Sequence, residues 1–454
     1  MLYAFFKILI TIALRVFFRK YQVQGREKLN EVKGPLIVVS NHPNTLIDPL
    51  IVATLMPQRV AFVANGSIFN RFTRPIFRYF NVIPVYRKKD LGDANNPVSQ
   101  TELNKATFKN CYEHLAKNGT ILLFPEGTSE LERRLRDIKT GTARIALGAE
   151  HEKGFELDVK ILPIGLNYSD QTRFWSEVFI NVGEPILLSD FKQKYNPESF
   201  DTVEELTDLI AKKLAELSIV TEDEEEDSLV KNIEILYKNQ LFEELHLPES
   251  EKKYEFSIIK EIIEAVRYFE KNQPELFTKL QTSINGYLGN IQELGLSDEV
   301  FYQTSKRSIS TQFWQTVFVL VVGSPIYLYG LVNNYLPYIL PSKLVRFIST
   351  DISYRGSILL TTGIVTFLGF YGLQIWAVHH FFGQAWLTFL YAMSLPLSGY
   401  FVLWYWRHAQ QFGYLQRTRR IFATNYDQIK TLLQERTAIF EMLERLKEMY
   451  LFRN

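Results

Sequence analysis

The alternation of short apolar runs with helical patterns over residues 21–218 constrains this chain more than any other feature. Runs at Leu36–Ser40, Val60–Ala64, Val82–Tyr86, Thr120–Phe124, Lys160–Gly165 and Val178–Val182 have the length and composition of buried strands. Between them, Leu50–Met56, Ile68–Phe80, Thr101–Ala116, Thr142–His151 and Val203–Leu217 carry helical spacing. Parallel strands need a crossover, and a helix supplies it. The pattern therefore implies an α/β fold with a mostly parallel central sheet flanked by helices. Open sheets of this kind build their sites at the C-terminal strand ends.

The flanking segments read differently. Leu2 to Phe18 is apolar and aromatic but carries Lys7 and Arg15, and the seven residues between those charges are too few to span a bilayer. With Arg19 and Lys20 it suits residues 1–20 lying as a helix in the membrane interface, the alternative being a buried N-terminal helix. No small-residue cleavage site follows, so a signal peptide is not expected. The acidic block Glu222–Asp227 repels itself and predicts a solvated linker between residues 21–218 and a small helical subdomain, together residues 219–308. In that subdomain Ile258, Ile259, Ile262, Ile263, Val266 and Phe269 form a stripe at helical spacing, and Pro274 and Ser297 fit helix starts.

Residues 309–408 read as a C-terminal membrane-embedded helical region. Ser357–Val378 and Ala385–Trp404 each offer about 20 residues free of Asp, Glu, Lys and Arg, enough to span as a hairpin. Phe313–Leu340 is interrupted by Gly323-Ser324-Pro325, Asn333-Asn334 and Pro337. Basic residues flank every non-hairpin end: Lys306 and Arg307, then Lys343, Arg346 and Arg355, then Arg407, Arg417, Arg419 and Arg420. Positive charge prefers the cytoplasm, so residues 313–340 are expected to be re-entrant or interfacial, with residues 357–378 and 385–404 as the two crossings. Residues 409–454 form a charged helical tail with Ile429, Leu432, Ile439, Leu443 and Leu446 on one side. The expected location is a membrane, with the domain at 21–218 on the cytoplasmic face.

Bulk chemistry narrows the function classes. A net charge of +1 over 454 residues offers no basic surface for nucleic acid. A single cysteine, Cys111, and seven scattered histidines give no metal-ligand spacing, so no metal is expected. Aromatics make up 14% and cluster toward the chain ends, which favours membrane lipids as partners.

The chemistry-bearing residues stand at strand ends. Asn41-His42-Pro43-Asn44-Thr45-Leu46-Ile47-Asp48-Pro49 follows the first strand, and a His paired with an Asp makes a general base held in one tautomer. Such a pair in a Pro- and Asn-rich turn is also ordinary turn chemistry. Val82–Tyr86 ends in Arg87, followed by Lys88, Lys89 and Asp90, so Arg87 is either a site residue or part of a solvated run. Phe124-Pro125-Glu126-Gly127-Thr128-Ser129 ends a third strand with a carboxylate, a glycine and two hydroxyls. Ile161–Gly165 is a strand interrupted by Pro163. Arg71, Arg74 and Arg78 recur after Ser67 and suit either anionic headgroups and donor phosphates or a solvated face.

Taken in order, His42…Asp48, Arg87, Phe124–Ser129 and Ile161–Gly165 resemble the four blocks of the glycerolipid acyltransferase superfamily, and Lys139–Ala146 resembles the stretch that follows its third block. The resemblance covers about residues 20–190. It departs in one place: five residues, not four, separate His42 from Asp48. Pro49 disfavours helical geometry at Asp48 and itself fits a first helical position, so Asp48 reads as the N-cap of a helix from Pro49. The longer spacing resembles the fungal glycerol-3-phosphate branch of the superfamily.

The resemblance implies acyl transfer from a thioester, acyl-CoA or acyl carrier protein, to glycerol-3-phosphate or 1-acylglycerol-3-phosphate, with no cofactor. His42 would deprotonate the acceptor hydroxyl while Asp48 holds the imidazole. Arg87 would clamp the acceptor phosphate, and Gly127 would let backbone amides approach it. Glu126 would orient acceptor hydroxyls, with Thr128 and Ser129 adding hydrogen bonds. Two other classes are a catalytically inactive lipid-binding or membrane scaffold protein on the same domain, and a transporter. The first would be favoured by loss of His42, Asp48 or Glu126, and all are present. The second lacks a charged residue within the apolar segments.

Overall fold

The computed structural model describes residues 2–66, 69, 71, 73–85, 100–248, 251–306, 309–349 and 351–452. It divides into two compact units, one of Met1–Thr221 with Ser349–Leu360, the other of Glu222–Ile348 with Thr361–Asn454.

The first unit is built on one sheet: β1 (Phe18–Gln24), β2 (Leu36–Ser40), β3 (Val60–Asn65), β4 (Val82–Val85), β5 (Thr120–Leu123), β6 (Lys160–Tyr168), β7 (Ser176–Val182) and β8 (Ile186–Leu187). The order is β1-β7-β6-β2-β5-β3-β4, with β8 on β6. Strand pairs are parallel except where β6 meets β7 and β8. The central strands are buried on both faces, the condition under which parallel strands read as unbroken apolar runs. Ile37, Val39, Ile121 and Ile161 pack with Cys111 and Leu115 of the helix Gln100–Ala116, Ala143 and Ala146 of Gly141–Glu152, and Leu206 and Ile210 of Asp201–Leu217. Leu36, Val38, Leu122 and Leu162, on the alternate positions, are equally buried. Each such side chain contributes about 1.5–3 kcal/mol by leaving water.

Two strands lay outside the sequence expectation. Phe18–Gln24 is an edge strand of mixed polarity (FRKYQVQ) whose half-buried side chains leave no apolar alternation to read. Ile186–Leu187 is only two residues long. The N-terminal helix is correspondingly shorter than residues 1–20, running Leu2–Phe17. It buries Leu14 and Phe17 against the unit and leaves Leu2, Phe5, Ile8 and Ile12 more than half exposed, an apolar stripe along one face. Of the expected helix Ile68–Phe80, Thr73–Tyr79 is helical among the described residues.

The second unit contains helices at Glu224–Glu244, Lys252–Asn272, Pro274–Glu293, Glu299–Lys306 and Tyr426–Leu451. The acidic block is not a solvated linker. Asp223 caps the first of these helices by accepting the Glu226 N–H at 2.8 Å, and the acidic first turn faces the positive end of the helix dipole. Glu226 is buried and accepts the Arg267 guanidinium at 2.7 and 3.2 Å. The C-terminal helix joins the same body: Arg436 donates to Asp298 at 2.7 and 3.1 Å, Tyr287 donates to Asp298 at 2.6 Å, and Ile429, Leu432, Ile439, Leu443 and Leu446 are buried.

Among the described residues, three helices are long and apolar enough to cross a membrane: Ser310–Ile348, Ile352–Phe382 and Ala385–Thr424. The break expected near Gly323-Ser324-Pro325 and Pro337 is absent, and Ile309–Ile348 is one helix with Pro325, Pro337 and Pro341 inside it. Each proline lacks the N–H that would bind the carbonyl four residues earlier. Side chains take those carbonyls instead. Ser324 Oγ donates to Val321 O at 2.9 Å, Gln374 Nε2 to Asn333 O at 3.0 Å, and Thr366 Oγ1 to Pro337 O at 2.9 Å. Composition therefore exaggerated the break, because the compensating donors lie on the helix itself and on a neighbour.

Candidate active site

The site forms where β2 and β5 end. Asn41 continues β2 as a false backbone link: its side-chain amide donates to Leu166 O at 2.9 Å and accepts the Leu166 N–H at 2.7 Å. The chain then turns sharply, and His42 Nδ1 lies 2.9 Å from Asp48 Oδ2. Asp48 is fully buried. Its Oδ2 also accepts the Asn44 N–H at 2.6 Å, and its Oδ1 accepts the Tyr168 hydroxyl at 2.5 Å. An oxygen that accepts from a backbone amide fixes the imidazole proton on Nδ1 and leaves the Nε2 lone pair for substrate.

Asp48 is not the N-cap. The helix runs Ile47–Leu55, and Asp48 sits in its first turn with its side chain folded back toward His42. Asn44 supplies the capping contact by accepting the Ile47 N–H at 3.3 Å. The turn begins to wrap at Asn44, where the Asp48 N–H binds Asn44 O at 3.3 Å, so the extra residue between His and Asp is absorbed before Pro49 acts.

Burial pushes the Asp48 carboxyl above the usual carboxylate range, opposed by the donors from His42, Tyr168 and Asn44. Burial likewise raises Tyr168, reinforced by the Asp48 charge. The His42 ring stacks on Phe124 with centroids 3.9 Å apart and planes 13° apart, which packs one face of the imidazole.

Glu126 is buried and braces two loops: Oε1 accepts the His42 N–H at 2.9 Å and Oε2 accepts the Arg136 N–H at 3.0 Å. Burial raises its pKa, and those two amides lower it. Glu126 thus ties the backbone of His42 to that of the loop carrying Arg136. Gly127 has φ +71°, a conformation that favours glycine, and its N–H closes a turn onto Phe124 O at 3.0 Å. The amide of Gly127 itself is used inside the turn. Ser129 Oγ accepts from Thr45 Oγ1 at 3.4 Å, which ties the third block to the His42 turn, and Thr128 is half-buried between them. Arg87 lies outside the described residues.

An open cleft is lined by Asn41, His42, Glu126, Arg133, Arg134 and Tyr168, among others. Four contributors to the site were invisible in the sequence. Tyr168 ends β6 three residues beyond Gly165, where the glycine had suggested a strand end. Arg133 and Arg134 lie on the loop after the third block, in a charged run without helical or strand period. Asn44 looked like one more turn former. A cluster of His, Cys, Asp or Glu able to hold a metal is absent among the described residues.

Comparison with known proteins agrees with this layout. The Acyltransferase family pattern matches residues 20–167. Glycerol-3-phosphate O-acyltransferase 1 of Saccharomyces cerevisiae is 38% identical over 144 residues, covering 31% of this chain and 19% of that protein. The chloroplastic 1-acyl-sn-glycerol-3-phosphate acyltransferase BAT2 of Brassica napus is 29% identical over 133 residues, 28% of this chain and 34% of that protein. The chain thus spans well under half the length of either relative. The crystal structure of the 1-acyl-sn-glycerophosphate acyltransferase PlsC from Thermotoga maritima aligns over 46% of this chain and 78% of that one, at 20% identity and a TM-score of 0.31. Residues 20–167, which hold the His42–Asp48 pair and the third block, thus carry an Acyltransferase family domain similar to those of glycerolipid acyltransferases.

Proposed function

We propose that this chain moves a fatty acyl group from an acyl thioester to a hydroxyl of glycerol-3-phosphate, at a membrane surface. The observation that carries the reading is the buried Asp48 holding His42 in a cleft that arginines share. His42 Nε2 takes the proton of the acceptor hydroxyl as its oxygen attacks the thioester carbonyl. The tetrahedral intermediate collapses, the C–S bond breaks, and the imidazolium returns its proton to the leaving thiolate. Asp48 stabilises the imidazolium between these steps. The scheme needs no covalent acyl-enzyme and no cofactor. The donor is acyl-CoA or an acyl carrier protein, both thioesters of one chemistry. Glycerol-3-phosphate is preferred over 1-acylglycerol-3-phosphate because two yeast relatives, 38% and 33% identical over their matched stretches, are named for it. An inactive scaffold is disfavoured by a dyad complete in all its supports.

Arg134, exposed on the cleft rim, is the described residue best suited to the acceptor phosphate, beside the role the resemblance implies for Arg87. Arg134→Ala is expected to raise the KM for glycerol-3-phosphate roughly tenfold or more, as loss of a charged hydrogen bond does, with the acyl-CoA KM unchanged. A change in the donor KM alone would show that Arg134 serves the thioester instead. Assaying the purified protein with labelled acyl-CoA against both acceptors tests the acceptor assignment.

The membrane reading has a consequence for topology. Helices Pro274–Glu293 and Tyr426–Leu451 pack within one unit, bound through Asp298 and Arg436. Three single crossings between them would place the two on opposite sides of a bilayer. An even number of the three apolar helices therefore crosses. In a Cys111→Ala background, cysteines at the exposed positions Gln292 and Gln434 should label with an impermeant maleimide from the same side of sealed vesicles. Labelling from opposite sides would overturn this topology.

A further inference from the structure

The turn that carries His42 and Asp48 is completed from far along the chain. Ser357, near the start of the helix Arg355–Phe382, donates its hydroxyl to Asn44 Oδ1 at 2.7 Å across 313 positions of sequence, and its oxygen accepts the Leu46 N–H at 3.1 Å. Ser357 and Asn44 are both buried. Asn44 has no slack. Its Nδ2 donates to Gln171 O at 2.8 Å, its Oδ1 also accepts the Ile47 N–H, and its own N–H holds Asp48 Oδ2 at 2.6 Å. The helix start seats closely enough that a Cβ on Gly356 would stand 2.3 Å from Gln171 O and 2.9 Å from Asn44 Nδ2. This contact lies wholly within the first unit, which takes Ser349–Leu360 as an outlying piece. The same helix continues into an apolar segment long enough to cross a membrane.

We propose that Ser357 and Asn44 are positioning residues for the dyad: Ser357 fixes the Asn44 amide, Asn44 fixes Asp48, and Asp48 fixes His42. The head of an apolar helix thereby becomes a structural part of an active site encoded some three hundred residues earlier, and the domain at residues 20–221 lacks one of its own supports without it. The inference rests on His42 and Asp48 being the catalytic pair.

Ser357→Ala in the full-length protein tests it. Removing the hydroxyl takes the acceptor from the Leu46 N–H and leaves Asn44 Oδ1 with only the longer bond from the Ile47 N–H, so the turn must shift to repair them. A displacement of order 1 Å at a catalytic group costs up to about a hundredfold in rate. The expected result is a kcat roughly tenfold to a hundredfold lower, with both KM values within about twofold of wild type. The acid limb of the pH profile should move up, because Asp48 loses a firmly held donor. Leu360→Val, which loosens the same buried helix head without touching these hydrogen bonds, controls for packing. A kcat for Ser357→Ala within about twofold of wild type, or a loss that Leu360→Val matches at equal folded fraction, overturns the proposal. A fully active His42→Ala protein would instead remove the catalytic reading beneath it, so the two failures are distinguishable.

Discussion

Replacing His42 with alanine is expected to abolish acyl transfer, with a fall in kcat/KM of about 10³-fold or more, at the upper end of what a positioned general base supplies. The acceptor hydroxyl is a poor nucleophile at neutral pH. The described residues that contact His42 offer no second base, since Asp48 is buried beneath the ring and Glu126 is committed to two backbone amides. The fold should survive. Asp48 keeps its contacts with Tyr168 and Asn44, and the sheet core does not touch the imidazole. The stacking on Phe124 is lost, a contribution of about 1 kcal/mol. Labelled-acyl transfer by the purified variant, beside its circular dichroism spectrum, checks both halves. Wild-type turnover in a folded His42→Ala protein would end the general-base mechanism.

Asp48→Asn separates charge from shape. The amide can still accept the Asn44 N–H and donate to the Tyr168 oxygen, but it carries no negative charge to stabilise an imidazolium. A loss of about 10⁴-fold in kcat is expected, the size seen when a triad carboxylate becomes an amide. Stability should move the other way. Asp48 has its carboxyl pKa raised by burial, so the folded state binds that proton more tightly than the unfolded chain. Its contribution to stability is present at low pH and is lost as pH rises through the raised pKa. At neutral pH the wild type carries a buried charge that the variant lacks, so Asp48→Asn should melt at an equal or higher temperature there. The gap should close on acidification. Activity in the wild type should follow the same group, with an acid limb above the ordinary carboxylate range as Asp48 takes up a proton. A variant that is active, or whose melting temperature falls further behind wild type as pH rises, would contradict this account of the pair.

The two results together weigh function against stability at one carboxylate. On the proposed mechanism, the buried, triply hydrogen-bonded Asp48 is held for the chemistry of the ring beside it. Active sites commonly retain such groups at a cost in stability.

Much of this site was legible in the chain. His42, Asp48, Glu126 and Gly127 all stand at strand ends where an α/β sheet builds sites, and local order along the sequence marks them. Their partners were not legible, because hydrogen bonds made across the fold leave no period or spacing. Tyr168 hid behind Gly165, and Ser357 hid inside an apolar helix whose composition announces only a membrane. The Glu126 oxygens also meet the amides of His42 and Arg136, contacts that only the folding of two loops creates. The acidic block Glu222–Asp227 misled in the opposite sense. Like charges signal a linker until one of them caps a helix and another finds an arginine 41 residues away.

By itself the sequence determined the alternation of strand and helix, the strand-end placement of the His–Asp pair and the presence of long apolar helices. Those properties follow from burial and periodicity, which act over a few neighbouring residues. The tertiary structure alone decided that Asp48 lies in a first helical turn rather than at a cap, that side chains elsewhere repair a proline-bearing helix, and that a serine 313 positions downstream of Asn44 holds the turn between His42 and Asp48. Each of these depends on where a polar atom finds its partner once water is excluded, and that is settled by packing at a distance.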